Sequence, residues 1–184
     1  MDWDPVVGLF GFFLVAYKAL LDELSERTSE VFSMAGRQRS ARGKRNLLND
    51  WREAIKWMSR ESSNSVTGTF SPDEFEAHPE LGDFGQLWSD VDRIGELMKW
   101  RNDRIHAKVE ISHPPAGGTE YRLVDKDGGP LAMDAGEVRA KLECAMNWRE
   151  MIRDEVARFR HARRAGVELE RAIGQALSGD EAEG

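Results

Sequence analysis

The chain has 184 residues and a formal net charge of −7, with 26 Lys or Arg against 33 Asp or Glu. This length favours a single domain that buries a core without disulfide or metal staples, and the composition, 40% hydrophobic and 32% charged, argues against full disorder. The single cysteine, Cys144, excludes an intramolecular disulfide and a Cys-based zinc finger, so we expect a cytoplasmic location and a buried thiol.

The first predicted helix runs from Pro5 to about Met34, with Asp4 as its cap. It opens on the most apolar stretch of the chain, residues 6–17, whose twelve residues fall short of the roughly 20 that span a membrane. No basic region precedes this stretch, as a signal peptide would require. We therefore expect no membrane segment, and a helix start that is buried or covered by a partner. An amphipathic stripe follows as far as Phe32, and Gly36 is predicted to end the helix.

Two further helices are separated by a long loop. The second helix spans roughly residues 40–60, with its apolar face at Leu47, Leu48, Trp51, Ile55 and Met58. Residues 61–83 are rich in Ser, Gly, Pro and acidic residues, which predicts a loop. The third helix is predicted from Asp83 to Lys108.

The remainder of the chain predicts a small β-hairpin-like insertion and a last long helix. Residues 109–133 contain short strand-like runs and an Asp127-Gly128-Gly129 turn. Asp134 then caps the fourth helix in a capping-box-like arrangement with Glu137, and Gly166 is expected to break or kink it. Its apolar stripe is Val138, Leu142, Ala145, Ile152, Val156 and Phe159. We predict an all-α four-helix bundle in one domain, residues 1–178, followed by a disordered acidic tail, residues 179–184.

The apolar stripe of the third helix is interrupted near its end. Where an apolar residue is due, the sequence has Arg101 and Asn102, and His106 follows one turn later. One interpretation is structural: Arg101 extends to solvent, and Asn102 and His106 are surface residues near a helix end. The other is that the three side chains form a site.

The string WRNDRIHAKV, residues 100–109, contains Arg101-Asn102, three residues, and then His106. It resembles the signature of the HEPN superfamily: an Arg, often followed by a polar residue, and a His a few residues later near the end of a long helix in a four-helix bundle. The specific match covers residues 100–109, and the architecture matches loosely over residues 5–165. Many HEPN toxins have a Tyr two residues after the His, which a nucleotidyltransferase antitoxin modifies. Lys108 stands at that position here.

The resemblance implies a metal-independent endoribonuclease in which two protomers form one composite site. His106 would be the general acid or base, Arg101 would hold the phosphate, and Asn102 would orient His106 or contact the phosphate. The expected products carry a 2′,3′-cyclic phosphate and a 5′-hydroxyl. Additional substrate-binding candidates are Lys99, Arg104 and Lys108. The four histidines include no ligand-spaced pair, so we expect neither a metal nor another cofactor.

The charge is distributed unevenly along the chain. Residues 37–60 carry eight basic against two acidic residues, whereas residues 61–98 carry nine acidic against one basic. A local basic surface could therefore guide RNA despite the acidic total. The expected partners are RNA, with tRNA and mRNA as candidates, a second copy of the chain, and an antitoxin or another defence-system protein. Two alternatives stay open: a non-catalytic HEPN-like module that binds a protein or RNA, and an unrelated helical bundle that assembles through its apolar N-terminal helix.

Overall fold

The computed structural model describes residues 3–37, 46–62, 82–113, 120–125, 127–131 and 133–180. In these ranges the chain is mostly helical, with four helices and one two-stranded antiparallel sheet, which confirms the predicted all-α class and the small β insertion before the last helix. The elements are α1 (Trp3–Met34), α2 (Leu47–Ser62), α3 (Gly82–Ile105), β1 (Lys108–Ser112), β2 (Glu120–Val124) and α4 (Ala135–Asp180).

Helices α1 and α4 lie side by side and run in the same direction. Arg149 of α4 donates to Glu23 of α1 at 3.4 Å, and Arg160 donates to Glu30 at 2.9 Å. The position along α4 thus rises with the position along α1. Because α4 has 46 residues and α1 has 32, α4 is longer by about 20 Å.

Helix α3 runs antiparallel to both. Near its end, the ring of Trp100 meets Phe13 of α1 edge to face at 5.1 Å. At its start, Asp83 accepts a hydrogen bond from Arg158 of α4 at 3.0 Å. The end of α3 therefore lies at the end of the bundle where α1 and α4 begin.

Helix α2 is also antiparallel to α3. Leu48, near the start of α2, packs against Gly95, and Arg52 one turn later pairs with Asp92. Since α1 and α2 are both antiparallel to α3, two consecutive helices of the chain run in the same direction.

The core is formed by all four helices. Its largest fully buried side chains include Phe13, Leu20, Trp51, Ile55, Leu87 and Ile152. The stripes predicted for the helices are largely buried, and Phe32, Leu48 and Leu142 are half-buried at the edge of the core. The expectation for Cys144 is only partly met, because this residue is half-buried.

Both ends of α1 can be compared with the predictions. The helix begins at Trp3, so Asp4 lies in its first turn and does not precede it as a cap. At the other end Gly36 adopts a left-handed conformation with φ of 66°, and the N–H of Arg37 donates to the carbonyl of Phe32 at 2.8 Å. This Schellman arrangement, together with the bond from the Gly36 N–H to Ser33, ends the helix as predicted.

The predicted boundaries of α2 and α3 need correction. The predicted start of α2 at residue 40 lies outside the described residues, which resume just before Leu47. Helix α3 ends at Ile105 and not at Lys108, because Lys108 already pairs with Val124 at the start of the sheet. The motif therefore lies at the transition from helix to strand.

The β insertion is a hairpin that leads into α4. After β2, the N–H of Asp125 donates to the carbonyl of Gly129 at 2.8 Å, and this bond closes the turn predicted at Asp127-Gly128-Gly129. Asp134 caps α4, since its carboxylate accepts the N–H of Glu137 at 3.0 Å. The predicted break at Gly166 is wrong, because α4 continues through this residue, while the alternative of a kink stays a prediction. Of the predicted tail, Gly179 and Asp180 are the last residues of α4, and residues 181–184 lie outside the described residues.

Candidate functional site

The motif residues lie at the exposed end of α3. Arg101 and Asn102 belong to its last turns, and His106 follows Ile105, the last helical residue. The backbone N–H of His106 still donates to the carbonyl of Asn102 at 3.0 Å, so the helical spacing between these two residues is retained. Both side chains are exposed to solvent.

Arg101 is held in place from two sides. Its guanidinium carbon lies 5.4 Å from the centre of the Tyr17 ring, and its Nη1 donates to Oδ1 of Asn102 at 2.9 Å. Its Nε is buried and has no hydrogen-bond partner among the described residues. The structural interpretation of the sequence had this side chain extend to solvent. Instead, the side chain is half-buried. Asn102 orients Arg101 in this structure, a contact that its predicted role did not include.

The ring below Arg101 belongs to a buried tyrosine. Burial raises the pKa of Tyr17, and the positive charge of Arg101 acts in the opposite direction. The phenol is accordingly neutral near pH 7 and does not cancel the charge of Arg101. No carboxylate of the described residues pairs with Arg101 either, so its positive charge is available to an anion.

Arg104, which the sequence suggested as a substrate-binding residue, contacts side chains of the protein itself. Its side chain is 9% exposed, pairs with Glu137 of α4 at 3.1 Å, and lies 4.0 Å from the centre of the Trp100 ring. Trp100 donates its indole N–H to the same carboxylate at 2.5 Å. Glu137, predicted as part of a capping box, thus fastens the end of α3 to the start of α4.

The other predicted substrate-binding residues, Lys99 and Lys108, are exposed on either side of the motif. Sequence reasoning missed an apolar surface beside them: Ile105 is 38% exposed, and Val109 and Ile111 are each 59% exposed. The two strand residues share one face of β1 because side chains alternate along a strand. Their alternation with polar residues is the signal that could have identified this surface.

The described residues include no group of three or more His, Cys, Asp or Glu side chains that could hold a metal ion. Three histidines are exposed at separate places: His106 follows α3, His113 follows β1, and His161 belongs to α4. His78 is outside the described residues. Among the described helices, none combines the length and apolar character needed to cross a membrane.

The chain was compared with family models, with curated proteins and with solved structures, and none of them matches it.

Proposed function

We propose that the chain is an endoribonuclease of the HEPN type, which cleaves RNA without a metal ion and acts as a toxin or antiviral defence effector. The observation that supports this most directly is the arrangement at the end of α3. There a positively charged Arg101, oriented by Tyr17 and Asn102, lies five residues before the exposed His106, a rise of about 7.5 Å at helical spacing. An oriented guanidinium and an accessible imidazole at the same end of one helix are suited to phosphoryl chemistry.

In the proposed reaction the RNA 2′-hydroxyl attacks the adjacent phosphorus atom. A base takes the hydroxyl proton, the bond from phosphorus to the 5′-oxygen breaks, and an acid supplies a proton to that oxygen. His106 serves in these proton transfers, and Arg101 stabilises the negative charge that gathers on the phosphate oxygens. The products are a 2′,3′-cyclic phosphate and a 5′-hydroxyl.

A homodimer is part of the proposal. The exposed apolar side chains of Ile105, Val109 and Ile111 flank the motif. A second copy that covered them would remove this apolar surface from water and bring two motifs together. The two copies of His106 could then divide the roles of base and acid.

The test is RNA cleavage in the presence of EDTA. We expect His106→Ala to lower the rate by about 10²–10⁴ and Arg101→Ala by about 10²–10³, the ranges typical of general acid–base and charge-stabilising groups. The matched controls are His161→Ala and Arg153→Ala, which alter an exposed His and Arg of α4 and should leave cleavage unchanged. Equal activity of His106→Ala and His161→Ala would refute the site.

A second candidate function is a non-catalytic helical module that binds a partner protein. It is favoured by one observation, the exposure of Phe12 and Val15 on α1, which are 70% and 71% exposed. Large apolar side chains exposed side by side often belong to interaction surfaces. If the wild type leaves total RNA and tRNA intact while it forms a stable complex that Phe12→Ser disrupts, this second function is correct.

A further inference from the structure

A basic cleft lies at the end of the bundle opposite to the motif. It is formed where α1 ends and α4 continues, and it has a volume of about 690 Å³. Glu30, Ser33 and Met34 line it from α1, and six residues between Arg160 and Arg171 line it from α4. Four of these six are arginines: Arg160, Arg163, Arg164 and Arg171.

The arginines of this cleft are not neutralised as a group. Arg160 pairs with Glu30, which also binds Arg27, so the Glu30 carboxylate serves two cations. Arg163 lies 5.5 Å from the centre of the Trp57 ring, a contact that leaves its charge in place.

Two further arginines of the cleft have no ion-pair partner among the described residues. No carboxylate of the described residues forms an ion pair with Arg164 or Arg171, although Glu168 lies between them along α4 and also lines the cleft. The cleft therefore presents a net positive charge on an acidic protein.

The structure of α1 does not require these cations. Arginines often cluster at the end of a neighbouring helix to bind its unpaired carbonyl groups. Here the carbonyls of Phe32 and Ser33 already accept the N–H groups of Arg37 and Gly36. Within the described residues, Arg163, Arg164 and Arg171 donate no hydrogen bond to a carbonyl of α1, so helix capping does not explain these three arginines.

We propose that this cleft binds the phosphate backbone of an RNA strand. The four arginines follow one face of α4 over about 16 Å, a length along which a stacked strand presents about five phosphates. Each guanidinium can contact a phosphate through two N–H groups.

The lining of the cleft favours a nucleic acid over an acidic protein. Of the nine described residues that line it, six are charged, and two, Met34 and Val167, are apolar. The cores of protein interfaces are apolar, rich in aromatic residues and depleted in charge, whereas nucleic-acid interfaces are polar and strongly positive. This cleft has the second composition.

The choice of RNA over DNA rests on the proposed function, while the binding of a phosphate backbone does not.

The distance between the motif and the cleft sets the length of RNA that can reach both. Tyr17, which contacts Arg101, and Ser33, which lines the cleft, are separated by about 24 Å along α1. A stacked strand that reaches from the motif to the cleft needs at least about seven nucleotides. The cleft would therefore strengthen the binding of long RNA and leave very short RNA unaffected.

The experiment measures the anisotropy of fluorescein-labelled single-stranded RNA on the His106→Ala protein, which keeps the RNA intact. The cleft variant adds Arg164→Glu and Arg171→Glu. The matched control adds Lys18→Glu and Arg153→Glu, which change the net charge equally at exposed positions of α1 and α4 outside the cleft. Loss of two phosphate contacts should weaken binding by about 25-fold at 0.1 M salt and lower the salt slope by about 1.4. The control should bind as tightly as its parent.

Several outcomes would overturn this inference. They are an equal loss of affinity in the control variant, unchanged binding by the cleft variant, and displacement of the RNA by polyglutamate at matched charge, which would indicate an acidic protein. In the background with intact His106, the cleft variant should cleave long RNA poorly and an RNA of about four nucleotides at the normal rate. Loss of affinity in the cleft variant without cleavage by any form would support the cleft and refute the proposed activity.

Discussion

Replacement of Glu137 by Gln should destabilise the protein by about 1–2 kcal/mol. The carboxylate accepts hydrogen bonds from Trp100 and from Arg104, whose side chain is only 9% exposed. Removal of one partner of a fully buried ion pair costs about 3–5 kcal/mol. Here the cost is smaller, because Glu137 is 36% exposed and Gln still accepts the bond from Trp100.

The assay is urea and thermal unfolding followed by circular dichroism, with Glu143→Gln as the control. Glu143 is an exposed residue of the same helix, so its replacement changes the charge equally without breaking this contact. For a chain of this size the expected loss lowers the Tm by about 2–8 °C. A double-mutant cycle with Arg104→Met should give a coupling of about 1 kcal/mol. If Glu137→Gln and Glu143→Gln unfold at the same urea concentration, the proposed link between α3 and α4 contributes nothing to stability.

Two further predictions concern glycine and tyrosine. Gly36→Ala should lower the free energy of unfolding by about 1–2 kcal/mol, because Gly36 has a left-handed conformation. Gly11→Ala should raise it by about 0.5–1 kcal/mol, because Gly11 lies inside α1 and an added Cβ would meet no other atom. Urea unfolding measures both changes, and equal signs would contradict the backbone argument. Because the pKa of Tyr17 is raised in the folded protein, its contribution to stability should be complete below about pH 10 and lost as the pH rises through the raised pKa. Comparison of wild type and Tyr17→Phe across this range checks the effect, and parallel curves would contradict it.

The helices were predictable because their apolar spacing alone determines which face is buried. Val138, Ile152 and Val156 follow this rule, as does the stop at Gly36, whose conformation favours glycine. The end of α3 was not predictable to the residue. The sequence from 105 to 108 is compatible with helix, and the strand pairing of Lys108 with Val124 decides the boundary.

The candidate site shows the same division between local and long-range information. The spacing of Asn102 and His106 is local, and the structure retains it. Whether a nearby arginine is available to a ligand depends on residues that the chain brings from elsewhere. Arg104 is engaged by Glu137, which is 33 positions away, whereas Arg101 meets a neutral tyrosine ring from α1. No pattern within residues 99–108 distinguishes these two arginines.

The same reasoning limits what the net charge of −7 implies for RNA binding. Charges act over roughly 8–10 Å at physiological ionic strength, so a bound strand responds to the groups beside it and little to the total. Because α3 is antiparallel to α1 and α4, the motif and the basic cleft lie at opposite ends of the bundle, about 24 Å or more apart. In the proposed complex each end would therefore attract the phosphate backbone by its own arginines, and the acidic total would disfavour nonspecific coating. An RNA that engages both ends should show the salt dependence of both sets of contacts, and a shorter RNA that of only one.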